Sequence, residues 1–207
     1  MPIKSLTALV LVFFAMTASG QNLPKPKEFY FDQDNTARPI VVIEGDVSTV
    51  TEQLAKERER GRKAIEATAQ LARIALQQNR IDLGKALYAQ ALESRAGNSG
   101  LGRGIRWNYG WDLYRLGEHE AALGQWTNLV NAPGGPSWIP PTLALALWSV
   151  DRKPEAIQWY AAAVRTEPYL WNDPANFPQL LPDWSASERA TLAEVHAAWQ
   201  SDPPSWP

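Results

Sequence analysis

Three segments of this chain carry one spacing. A small residue is followed four positions later by an aromatic and, three later again, by an apolar residue: Gly84, Tyr88, Ala91; then Ala122, Trp126, Leu129; then Ala156, Tyr160, Ala163. Ala86 and Gln90 give the first segment a frame-shifted alternative. Steps of four and three fall on one face of a helix. Each segment also follows a polar turn that ends an earlier helical stretch, at Asn79-Arg80, Gly117-Glu118 and Asp151-Arg152-Lys153. A unit of two helices cannot cover its own apolar face, so such units stack. Stacked hairpins present a binding surface, and the spacing says more about how the chain binds than about what it binds.

The first twenty residues read as a leader. Met1 to Lys4 is short and basic, Leu6 to Met16 is an apolar run, and Ala18-Ser19-Gly20 offers small residues for cleavage before Gln21. The alternative is an uncleaved membrane anchor. Nothing after residue 20 approaches the roughly 20 apolar residues that span a bilayer, so no stable transmembrane segment is expected after cleavage. Periplasmic or secreted localisation follows. With no cysteine in the chain, stability must come from a hydrophobic core and not from disulfides. The formal charge is −2, with no dominant basic patch, which argues against nucleic acid as a partner. Arg58, Arg60, Arg62 and Lys63 alternate with Glu57, Glu59 and Glu66 and read as a solvated helix face.

After the leader (1–20), residues 21–48 form an extended arm. Pro24, Pro26 and Pro39 oppose helix there, and Pro39 to Ile43 is strand-like. That lone run either lies along the chain's own helices or pairs with a partner's edge. One helix is expected from Thr49 to Gln78, opened by a Thr49/Glu52 capping box. Hairpins follow: Leu83 to Leu92 returns against it, Gly100–Leu116 pairs with His119–Asn131, and a helix from Pro140 or Pro141 to Val150 pairs with one from Pro154 to before Pro168. The helical domain spans 49–171. Residues 172–207 are an irregular, proline-broken stretch and a final helix packed on the array, with a Ser185/Glu188 box and an apolar face at Leu192, Val195 and Trp199. This last helix is expected to cap the apolar end of the array.

The hairpins resemble tetratricopeptide repeats. The middle unit carries Tyr109-Gly110, Leu113, Gly117, Ala122, Trp126 and Leu129, and the third carries Leu143-Ala144, Leu147, Ala156, Tyr160, Ala163 and Pro168. The first supplies Leu71-Ala72, Ala75, Gly84, Tyr88 and Ala91. The family's leading tryptophan is replaced by Thr68, Arg106 and Pro140. The resemblance covers residues 65–171 and implies an all-α solenoid of about three hairpins, with an N-terminal extended arm and a C-terminal capping helix. It also implies that a second face of each first helix lines a concave groove.

That second face is aromatic. Trp107, Trp111 and Tyr114 make a stripe beside the core stripe of Tyr109, Leu113 and Leu116, and the third hairpin offers Trp138, Pro141, Leu145 and Trp148. Arg73, Arg106 and Arg115 lie at the expected rim. The candidate partner-binding set is therefore Arg73, Trp107, Trp111, Tyr114, Arg115, Trp138, Leu145 and Trp148, and rigid aromatics beside arginine are the composition of binding hot spots. A protein or peptide of the cell envelope is the expected partner, and a glycan stacked on the tryptophans is the alternative. A third outcome is internal: the arm, with Phe29, Tyr30 and Phe31, or the stretch from Trp171 to Trp184 fills the groove.

Catalysis has little to work with. His119 reads as part of a solvated turn, Glu194 and His196 do not share a helix face, and no metal, nucleotide or nucleophile-elbow motif occurs. The expectation is a non-enzymatic scaffold without catalytic residues, cofactor or metal.

Overall fold

The computed structural model describes residues 23–27, 29–31, 37–94, 99–130 and 135–205. The leader at 1–20 lies outside the described residues. Among those described, the regular structure is all helical: α1 (Val47–Arg60), α2 (Ala64–Gln77), α3 (Ile81–Glu93), α4 (Gly100–Arg115), α5 (His119–Thr127), α6 (Ile139–Ser149), α7 (Lys153–Thr166), the single turns α8 (Pro168–Trp171) and α9 (Phe177–Leu180), and α10 (Ala186–Ser201). A 3-10 turn, Pro174–Asn176, separates α8 from α9. Helices α2 and α3, α4 and α5, and α6 and α7 pack as hairpins, joined by α3 on α4 and α5 on α6. No described helix is long and apolar enough to cross a membrane.

The three hairpins close in the same way. Asn79, Gly117 and Asp151 each sit two positions past a helix end with φ of 59°, 82° and 60°, the left-handed region that Gly, Asn and Asp tolerate best. The next residue's N–H then reaches back five positions: Arg80 to the Ala75 carbonyl (2.8 Å), Glu118 to Leu113 (3.0 Å) and Arg152 to Leu147 (2.9 Å). This is the Schellman closure, which satisfies carbonyls the helix end would leave unpaired. The same closure recurs at the turn of each of the three described hairpins.

The nine residues of the recurrent spacing are all buried. Small residues let paired helices approach: a Cβ on Gly84 would meet Leu76, and one on Gly110 would meet the Trp126 indole, both well inside van der Waals contact. Trp126 cannot yield, because its Nε1–H donates to the Trp107 carbonyl at 3.3 Å. Gly110→Ala should therefore destabilise the fold by about 1–3 kcal/mol through overpacking, despite alanine's better helix propensity. In a Trp126→Ala background the same substitution should cost little. Chemical denaturation of the four proteins of this double-mutant cycle gives the test.

Three expectations need correction. The helix expected over Thr49–Gln78 is two helices, broken after Arg60. Gly61 turns extended (φ −83°, ψ 161°), glycine being a poor helix residue, and the Glu57 carboxylate accepts from the Lys63 N–H at 2.8 Å. The Thr49/Glu52 box does not form either: Asp46 caps α1 by accepting from the Thr49 N–H, while Glu52 pairs with Lys56 at 2.8 Å. Finally, α5 stops at Thr127, where Leu129 and Val130 tighten onto the carbonyls three residues back.

The run from Pro39 to Ile43 forms no strand; it lies on the helices, with Ile40, Val42 and Ile43 packed into their apolar clusters. At the other end the Ser185/Glu188 capping box is present in both directions. Helix α10 packs on α6 and α7, and Leu192 and Val195 are fully buried. Trp184, just before the Ser185 cap, packs against Trp111 of α4 with ring centroids 4.9 Å apart.

Candidate functional site: a tryptophan cleft

The second stripe of α4 is covered. Trp107 is 9% and Trp111 4% exposed, because the arm and the segment after α7 fold over them. What remains is a cavity of about 300 Å³, at the lower end of the range for ligand pockets. The arm contributes Ala37 and Pro39, and the covering segment contributes Trp171, Leu181 and Trp184. The cavity brings together five of the eight residues singled out from sequence: Arg73, Trp107, Trp111, Arg115 and Trp138.

The other three lie outside its lining. The Tyr114 hydroxyl shares a hydrogen bond with Ser149 Oγ at 2.8 Å. Leu145 is fully buried in the core. Trp148 donates to Glu194 Oε2 at 3.0 Å, with the Lys153 ammonium 5.1 Å from its ring centroid, so it serves the contact with α10. Arg106, expected at the rim, donates to Gln125 Oε1 at 3.3 Å.

Two polar features set the chemistry of the cleft. The indole nitrogens of Trp107 and Trp111 are buried and have no hydrogen-bond partner, whereas those of Trp126 and Trp148 are satisfied. Buried N–H groups in proteins are rarely left unpaired. Asp112, also on the wall, accepts from the Tyr88 hydroxyl at 2.6 Å. Burial pushes its carboxyl above the ordinary value, while the Tyr88 hydrogen bond and the Arg73 and Arg115 charges pull it back. The Tyr88 hydroxyl is raised well above its own ordinary value, by burial first and then by Asp112.

Arg115 latches the cover. Its Nε donates to Glu188 Oε1 at 3.0 Å, and its Nη2 donates to the Asp183 carbonyl at 3.1 Å. The guanidinium also sits 5.1 Å from the centroid of the Trp111 ring, within cation–π range. Glu188 is the capping-box residue of α10 and accepts from the Ser185 N–H at 2.6 Å. One carboxylate thus fixes the start of α10 and holds Arg115 at the roof of the cleft.

The arm is held by its backbone. On α2, Gln70 Oε1 accepts from the N–H groups of Val42 (2.7 Å) and Ile43 (3.2 Å), and Gln70 Nε2 donates to the Ile43 carbonyl at 2.7 Å. On α4, Asn108 Oδ1 accepts from the Ile40 N–H at 3.3 Å, and its Nδ2 donates to the carbonyls of Arg38 and Gly104, each at 2.8 Å. Sequence reasoning passed over Gln70, Asn108 and Asp112. The signal was available: an amide on a face otherwise made for burial, such as Asn108 beside Trp107, needs a partner there.

Among the described residues no cluster of His, Asp and Glu could hold a metal ion. The cleft is walled by aromatic side chains, a buried carboxylate and arginine. No family model, no curated protein and no solved structure matches the chain.

Proposed function

We propose that this chain is an exported, non-catalytic adaptor of tetratricopeptide-like construction, which holds an extended segment of another cell-envelope protein in the tryptophan cleft. One observation carries the reading. The surface that leads into the cleft already seats an irregular polypeptide run, residues 38–43, bent at Arg38 and Val42, through side-chain amides that pair with its main chain. A groove that recognises its own chain in this way is suited to another chain of the same conformation. The leader-like first twenty residues support export. The divergent hairpins, with their three equivalent turns, support the repeat reading despite the missing signature tryptophan.

A photo-crosslinking residue at Trp138, half-buried at the cleft, tests the proposal in intact envelopes. Specific capture of a protein is expected from position 138 and not from the exposed Lys56 on α1. Absence of any saturable protein partner would remove the adaptor reading. A saturable change in tryptophan fluorescence on titration with cell-wall glycans would put a carbohydrate in its place.

A further inference from the structure

We infer that residues 38–43 are a built-in competitor for the bound segment: the partner's main chain takes the Gln70 and Asn108 amides by displacing the chain's own arm, which closes that surface in the free protein. The inference rests on the reading of the cleft as a polypeptide site and adds its regulation. Gln70 on α2 is 9% and Asn108 on α4 5% exposed. Side-chain amides this deep need partners. Gln70 makes three hydrogen bonds to the arm, with the Val42 N–H, the Ile43 N–H and the Ile43 carbonyl, and Asn108 makes two, with the Ile40 N–H and the Arg38 carbonyl. All five go to main-chain atoms. Pairing of this kind reads backbone and not side chains, so a second chain with N–H and C=O groups in the same places satisfies both amides equally well.

Little else holds the run down. None of residues 38–43 is fully buried, and Arg38, Pro39 and Val41 are exposed. Ile40, Val42 and Ile43 pack on the apolar clusters of the helices while only partly buried. The link to α1 is the exposed stretch Glu44-Gly45-Asp46, and Gly45 has φ of 140°, a conformation that glycine adopts without strain. That stretch is a pivot on which the run can lift while α1 stays in place. Pro39 also lines the cavity beside Asn108, so lifting the run widens the cleft on the side where a partner segment would enter.

The test uses the full chain and one probe, an acetylated and amidated peptide of residues 37–46 carrying a fluorophore. Val42→Pro deletes an N–H that Gln70 accepts and leaves Gln70 intact, and Ile40→Pro does the same at Asn108. Each should raise the affinity for the peptide about tenfold, through one hydrogen bond lost from the competing arm, because an occupied site binds added ligand in proportion to its free fraction. Adding Gln70→Leu to Val42→Pro should remove the gain, and so should N-methylation of the peptide at the residue that matches Val42. Thermal melts identify the proline variant that keeps the cooperative fold, and one is enough. In the unsubstituted chain, a large excess of peptide should speed hydrogen exchange at the Val42 and Ile43 amides. Equal affinity for the parent and the proline variants, with exchange unchanged, would overturn the inference. If the peptide binds none of them while position 138 still crosslinks an envelope protein, the inference falls and the adaptor reading stands. If neither is seen, both fall.

Discussion

Truncation before residue 184 is expected to abolish the stable monomer. The deleted segment carries Leu192 and Val195, both fully buried, and Trp184, which is 8% exposed. Each such side chain contributes about 1.5–3 kcal/mol through burial. Glu188 leaves with them, and Arg115 loses its carboxylate partner. The sum approaches the roughly 5–15 kcal/mol that holds a whole domain together. Helices α6 and α7, against which α10 packs, would then expose an apolar face, and an uncapped array end associates with other molecules. Thermal melts and size-exclusion profiles of the full and truncated chains measure both effects. An unchanged melt with a monomeric product would mean that α10 is not a cap. Leu192→Ala is the milder form, expected to cost about 2–5 kcal/mol. The deletion also removes Trp184 from the cleft wall, so a loss of binding in the truncated protein cannot be assigned to stability alone.

Trp126→Ala should be the most damaging single substitution in the middle hairpin, costing about 3–5 kcal/mol and lowering the melting temperature by roughly 6–20 °C for a chain of this length. Trp126 is fully buried. Its ring meets Trp111 at 5.0 Å and Tyr114 at 6.0 Å, its nitrogen ties to the Trp107 carbonyl, and it fills the space left by Gly110. Removing it opens a void beneath two other aromatics and deletes the indole's tie to α4. Trp126→Phe keeps most of the ring and should fall between the parent and the alanine variant. A loss below about 1 kcal/mol for the alanine variant would contradict the packing described.

The hairpins were legible because their information is local. Spacings of four and three set a helix face, and Asn79, Gly117 and Asp151 are residue types that tolerate a left-handed turn. Ser185 and Glu188 are three apart and need no distant partner to form their box. The same locality misled at Thr49 and Glu52, where the box competes with a better cap, Asp46, and with Lys56 one turn on. The helical period also ran through Gly61 without a mark, since the apolar pattern on either side is compatible with one helix. The cleft was only half legible. An aromatic stripe looks the same whether it meets solvent, a partner or its own chain, and the groups that decide the matter lie far away: Asn108 pairs with residues 68 and 70 positions distant, and Arg115 with one 73 distant. The sequence therefore indicated a second aromatic face on α4 and gave no measure of its cover.

The arm alters how such an array responds to load. In a plain stack each unit touches only its neighbours, so one end can fray while the other stands. Here two described stretches of the arm are tied down: the Tyr30 N–H donates to Thr166 Oγ1 of the third hairpin at 3.1 Å, and the backbone of residues 38–43 is held to α4 through Asn108 and to α2 through Gln70. The order of these contacts along the chain, third hairpin first and α2 last, is the reverse of the order of the hairpins. The arm's described residues therefore touch the first hairpin and the last, and unfolding at either end of the array removes contacts that hold the arm.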